Sequence, residues 1–279
     1  MAEIVSVVAS THNPRIFWNR DEADVQDIEA LEATFAHVRD LLAESRPDVI
    51  VVIANDHLDN FFFDNMPTFA VATGAEAEGP FWYETEIMSL PAYKAKIDVK
   101  FADFLLRRGV ETGMPFSQVQ HFRMDHAITL PLSYLRPNRD LPIVPILTNA
   151  FGYPIASTRQ WYELGQFLAR AIREWPGKQR VAVLGSMNLN IEVGGPKAGT
   201  YNRVFGGWML EQMRNGARDE ILTSLPVPRL IEEGNSSAEF LNYVALLGIV
   251  ETTPPDFISH KPVKGVGTCP IAFWKQAPK

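Results

Sequence analysis

Residues 4–14 read Ile4-Val5-Ser6-Val7-Val8-Ala9-Ser10-Thr11-His12-Asn13-Pro14, and residues 49–57 read Val49-Ile50-Val51-Val52-Ile53-Ala54-Asn55-Asp56-His57. Each is a short run rich in Val and Ile that ends in polar residues and a histidine. Such runs read as buried strands. Val181–Leu184 is a third. Leu141–Leu147 is a fourth, and its two prolines place it at a sheet edge or make it short. Helical spacing lies between the runs: Ile28, Leu31, Phe35, Val38 and Leu42; Trp161, Leu164, Leu168 and Ala171; Phe205, Trp208, Met209 and Met213; Phe240, Tyr243, Val244 and Leu247. Strands alternating with helices predict an α/β fold. The expected form is a three-layer α/β/α sandwich, its central sheet mixed but mostly parallel, spanning residues 1–279 as one domain.

Phe61–Pro91 shows no clean periodicity and mixes aromatics with glycine and proline. A segment this long and irregular inside a compact domain reads as a functional loop. Phe61, Phe62, Trp82 and Tyr83 then supply either an aromatic wall or core packing.

Composition excludes several classes. The chain has 279 residues, 46% of them hydrophobic and 21% charged, which is ordinary globular composition. A net charge of −7 speaks against a nucleic-acid surface. One cysteine, Cys269, excludes a disulfide framework and a thiolate-rich metal site. No apolar stretch approaches the roughly 18 residues of a membrane span. The first residues lack the basic and apolar regions of a signal peptide, so the cytoplasm is the expected compartment and the sequon at Asn235 carries no meaning.

In open α/β sheets, ligands bind beyond the carboxyl ends of the strands. Two strands deliver His12 and His57 there. Equivalent strand ends can converge on one point, and neutral imidazole is the commonest metal ligand; the competing reading makes each a structural residue. His37 reads as a surface residue, and His260, in a Lys-rich tail, as solvated. His121 and His126 bracket residues 122–125, where Asp125 and Thr129 can cap or polarise the following helix. Ser236 with Glu239 matches a capping box. The chain has no G-x-S-x-G elbow, H-E-x-x-H, Walker A or G-x-G-x-x-G motif, and Gly185-Ser186 is not a nucleophile elbow.

His12 in a Thr-His-Asn-Pro context, Asn55-Asp56-His57, Asp125-His126, Gly194-Gly195-Pro196 and Ser237-Ala238-Glu239 follow one another in an order that resembles the β-subunit family of protocatechuate 4,5-dioxygenase, the class III extradiol ring-cleavage dioxygenases. The resemblance covers nearly the whole chain. It implies a non-heme Fe(II) held by His12, His57 and Glu239, with open positions for substrate and O2. It implies that His126 hydrogen-bonds the substrate or bound oxygen. It also implies a small aromatic substrate of catechol, aminophenol or gallate type. A small α subunit, a homo-oligomer or the Phe61–Pro91 segment would cover the site.

One motif departs from the family. A Gly-Gly-Leu-Ser-His sequence supplies an acid–base histidine there. Aligned without a gap on Gly194-Gly195-Pro196, that position is Ile191; a shifted alignment gives Asn188. Neither exchanges a proton near neutral pH. Either the base lies elsewhere, with His126 the candidate, or the chemistry is not ring opening. The alternatives are a non-redox metal-dependent hydrolase, another O2-dependent iron enzyme, or a non-catalytic subunit. Asn188, Asn190, Ile191 and Tyr201 are the expected substrate-side residues. Arg15 and Lys197 pair with a substrate carboxylate or form surface salt bridges.

Overall fold

The computed structural model describes residues 1–18, 24–260, 262–263 and 269–276. Its strands are β1 (Glu3–Thr11), β2 (Val49–Asn55), β3 (Phe69–Ala72), β4 (Glu76–Gly79), β5 (Tyr93–Lys96), β6 (Phe116–Val119), β7 (Ile143–Thr148), β8 (Arg180–Met187), β9 (Phe257–His260) and β10 (Pro270–Lys275). Eight form one sheet in the order β6-β3-β7-β2-β8-β1-β10-β9, and β4 and β5 form a separate hairpin. The core β7-β2-β8-β1 is parallel, as is β3 with β6; β3 with β7, β1 with β10 and β10 with β9 are antiparallel. β8 lies between β1 and β2. Register pairs Ser10 with Ser186, and Ile53 with Gly185, so these three strands end at one level.

Helices cover both faces. Val8, Ile50, Ala182 and Leu184 meet Leu42 of the Val25–Glu44 helix and Leu132 and Leu135 of the His126–Leu135 helix. On the other face Gly185 lies against Leu246 of the Leu241–Val250 helix. That helix also packs on the Thr158–Glu174 helix so closely that a Cβ at Gly165 would come 1.7 Å from the Ala245 carbonyl oxygen. The three-layer expectation holds. Ile28, Leu31, Phe35, Val38 and Leu42 are the buried stripe of their helix. Phe205, Met209 and Met213 are buried on Arg203–Arg214, where Trp208 is only partly covered.

Three expectations change. Leu141–Leu147 is no edge strand, because β7 lies between β2 and β3. Pro145 is accommodated because the β3 ladder reaches only Ile146. The Ile143 carbonyl bonds the Asp98 amide on the side away from β2, and alternation turns Pro145 the same way, so its missing N–H removes no ladder bond. Phe61–Pro91 is not one loop, since it contains β3, β4 and the helix Trp82–Glu86. Leu241–Val250 is buried at every residue rather than amphipathic, and Phe240 belongs to the preceding 3-10 helix Ser237–Phe240. Among the described residues no helix is long and apolar enough to cross a membrane.

Candidate metal centre

Five segments meet at the carboxyl edge of the sheet. β1 ends at Thr11 and presents His12; β2 ends at Asn55 and presents His57; β8, between them, presents Ser186 and Asn188. The His126–Leu135 helix begins here, capped by Asp125, whose Oδ1 accepts from the Ala127 amide. The 3-10 helix brings Glu239 in from above. All these residues are buried except His57, which is partly exposed.

The carboxylate of Glu239 spans the two strand-end histidines. His12 Nε2 lies 2.7 Å from Glu239 Oε2, and His57 Nε2 lies 3.6 Å from Oε1. Asn188 Nδ2 donates to Oε2 at 2.8 Å. A third imidazole joins them: one ring nitrogen from each of His12, His57 and His126 lies within 4.8 Å of the others. The His57 and His126 rings stack with centroids 4.0 Å apart.

Each imidazole is held from behind through Nδ1. Ser186 Oγ donates its hydrogen to the Ala127 carbonyl, so at 2.8 Å from His12 Nδ1 it must accept. Asp125 Oδ2 accepts from both Nδ1 and the backbone N–H of His57, at 3.0 and 2.9 Å. Glu84 Oε1 accepts from Nδ1 and the backbone N–H of His126, at 2.6 and 2.9 Å. With Nδ1–H committed, Nε2 carries the lone pair that can bind a cation, the tautomer that metal-ligating histidines adopt; on His57 that lone pair also meets Asn55 Nδ2 at 3.2 Å. A neutral His12 Nε2 lone pair facing a carboxylate oxygen at 2.7 Å needs a proton or a metal ion between them. Two imidazoles and one carboxylate fit a divalent first-row metal.

Titration behaviour follows the same layout. Burial pushes His12 down, and Glu239 offsets this only in part. Burial also opposes a charge on His57, but Asp125 and Glu239 outweigh it and raise it well above the usual imidazole range. Burial pushes Glu239 up, yet His12 and His57 hold it well below the usual carboxylate range. Asp125 is held down by His57 against burial in the same way. Among the described residues no lysine or arginine pairs with Glu84, Asp125 or Glu239; histidines do.

A network ties the strand ends together. Asn242, inside the otherwise apolar Leu241–Val250 helix, donates to the Ser186 carbonyl at 2.6 Å and to Asn55 Oδ1 at 3.2 Å, and accepts from Thr148 Oγ1 at 3.0 Å. It links the ends of β2, β7 and β8.

His12, His57, His126, Asn188 and Glu239 thus come together. Glu239 is no capping-box residue: Ser236 Oγ donates to the Ile191 carbonyl and leaves the cap unmade. Asn190 donates to the Asn202 carbonyl, and Ile191, buried, bridges Tyr201 at the base of the 191–201 loop. The Arg15 guanidinium lies against Gly199, and Lys197 is exposed. Phe62 and Trp82 are exposed, whereas Tyr83 donates to Asp59 at 2.8 Å. His37 is exposed, as expected. His260 is not a solvated tail residue: it ends β9 with Nδ1 buried.

Sequence reasoning missed Glu84, Asn242 and the use of Ser186. A glutamate three residues after Phe81 at a helix start was the available signal for Glu84, but it lay in the segment read as irregular. Its Oε2 accepts from the Phe81 amide at 2.8 Å.

Residues 6–270 match the family described as the catalytic LigB subunit of aromatic ring-opening dioxygenase. The chain belongs to that family. It is 29% identical over 187 residues to a 2,3-dihydroxyphenylpropionate/2,3-dihydroxicinnamic acid 1,2-dioxygenase of Rhodococcus sp, covering 67% of this chain and 56% of that protein. The enzyme of the same name from Paraburkholderia xenovorans is 31% identical over 158 residues, covering 56% and 47%. The chain therefore spans about half the length of the curated relatives it matches. In fold it is similar to the uncharacterized protein JW3007 from Escherichia coli K12, at a TM-score of 0.58 and 15% identity, covering 97% of this chain and 99% of that one.

Proposed function

We propose that this LigB-family chain is a non-heme Fe(II)-dependent dioxygenase that uses O2 to open a catechol-type ring, with His12, His57 and Glu239 as metal ligands. The observation that carries this reading is the Glu239 carboxylate lying 2.7 and 3.6 Å from the Nε2 atoms of His12 and His57, each ring anchored through Nδ1. Fe(II), when bound by these residues, would supply open positions for a phenolic substrate and O2. The protein's own part is to fix ligand geometry and keep the surroundings dry. His126, beside this set and not needed to complete it, faces the substrate as the proton-handling group, since neither Ile191 nor Asn188 exchanges a proton. The presence of all three ligands favours this reading over a non-catalytic subunit.

The ring substituents, and whether a small subunit or a second copy covers the site, are settled by experiment. Anaerobic metal analysis followed by O2 uptake against catechols, gallate-like triols and 2-aminophenols is the test, with mass spectrometry of the products. Bound iron and a ring-opened product incorporating both oxygen atoms are expected. Zinc with hydrolytic activity, or a protein that takes up no metal, would overturn the proposal.

A further inference from the structure

The buried Glu84 carries a consequence for His126. Glu84 is fully enclosed, on the five-residue helix Trp82–Glu86. The helix is placed by β4, whose end presses against the 123–125 segment: Met124 donates to the Glu78 carbonyl at 2.9 Å, and a Cβ at Gly79 would come 2.0 Å from the Met124 carbonyl oxygen. Only glycine fits that approach. Through it a carboxylate arrives behind the first residue of another helix.

A carboxylate oxygen only accepts. Glu84 Oε1 takes two donors from the same residue, the backbone N–H and Nδ1–H of His126, so both ring orientation and tautomer are set. The Nδ1–H form leaves Nε2 with a lone pair. Asn188 does not compete for this role, because its Nδ2 is committed to Glu239 and its Oδ1 accepts from Thr11 Oγ1.

We infer that Glu84 is a positioning residue: it holds His126 as the Nδ1–H tautomer, so that Nε2 accepts a hydrogen bond from a phenolic hydroxyl of the substrate. This rests on the function proposed above. A purely structural Glu84 would anchor the Trp82–Glu86 helix and leave the tautomer and kcat alone.

The test is Glu84→Gln in the full chain. The side chain keeps its length but gains an amide donor, which cannot satisfy Phe81 and His126 together. Metal content should stay at the wild-type level, and KM should stay close to wild type while kcat falls about 10–100-fold, the usual cost of losing a hydrogen bond that orients a site histidine. Nitrogen-15 NMR of the His126 ring, at a pH where it is neutral, should show Nδ1–H in the metal-free and Zn(II)-loaded wild type and a growing Nε2–H population in the variant. Nε2–H in the wild type would overturn the inference without any variant. So would a variant with unchanged tautomer and kcat, or one that loses metal, since Glu84 would then support coordination instead. A wild type that opens no ring on any phenol would instead refute the Fe(II) reading, a result separate from the tautomer measurement.

Discussion

The His12 and His57 ends of the sheet start alike and finish differently. Both follow a buried parallel strand, and both direct Nε2 at Glu239. His12 is sealed in the interior, and its anchor is the neutral hydroxyl of Ser186 on the neighbouring strand. His57 is 17% exposed in its side chain, and its anchor is the ionised Asp125, which also caps a helix. Two physical routes thus give the same tautomer. Where water is excluded, a hydroxyl whose own hydrogen is already committed suffices. Where the ring is partly solvated, a charged acceptor holds it, and charge-assisted bonds are roughly twice as strong as neutral ones.

The largest effect should come from Glu239, which both ends share. Glu239→Ala should abolish stoichiometric iron binding, measured by metal analysis after anaerobic loading. Full iron occupancy would show that Glu239 is not a metal ligand. Next is Asp125→Asn, which can still cap the helix through its oxygen but then turns an amide donor towards His57 in place of the charged acceptor. Metal affinity should weaken about 10–100-fold in a competition titration. An unchanged affinity would show that the two ends do not differ in the way described. Ser186→Ala should act less on affinity, by under about 10-fold given a neutral bond, and more on the fold. It strands the Ala127 carbonyl and His12 Nδ1–H in the core, at about 1–3 kcal/mol by denaturant melts. An affinity loss exceeding that of Asp125→Asn would reverse the comparison. Smallest at the metal is Tyr83→Phe, which removes only the tie to Asp59. Metal affinity should be unaltered, with about 1.5–3 kcal/mol of stability at stake for a hydrogen bond to a charged group.

The difference between the two ends also marks what the sequence makes legible. β1, β2 and β8 stand out because a parallel strand buried on both faces is a continuous apolar run. Their end residues then point to His12 and His57 directly. β3 and β4 have four residues each, too short for the apolar run of one or the alternation of the other to stand out; β3 is a strand because β6 and β7 flank it. The prolines of β7 mislead because whether a missing N–H matters depends on how far the neighbouring ladder extends. Glu239 carries two valid local readings, and only the position of Ser236 decides between them. Glu84 lies 42 residues from His126, a pairing that local pattern cannot express.

The Asn242 network has a consequence for how a metal arrives. The ends of β2, β7 and β8 are joined through Asn242 by hydrogen bonds in which no metal takes part, and β2 is the strand that delivers His57. The expected outcome is that loading is capture by a folded chain and not a step of folding. The metal-free chain should melt as one cooperative unit. Added metal should raise its midpoint only through mass action, by RT ln(1 + [L]/Kd), with no gain in helix or strand content.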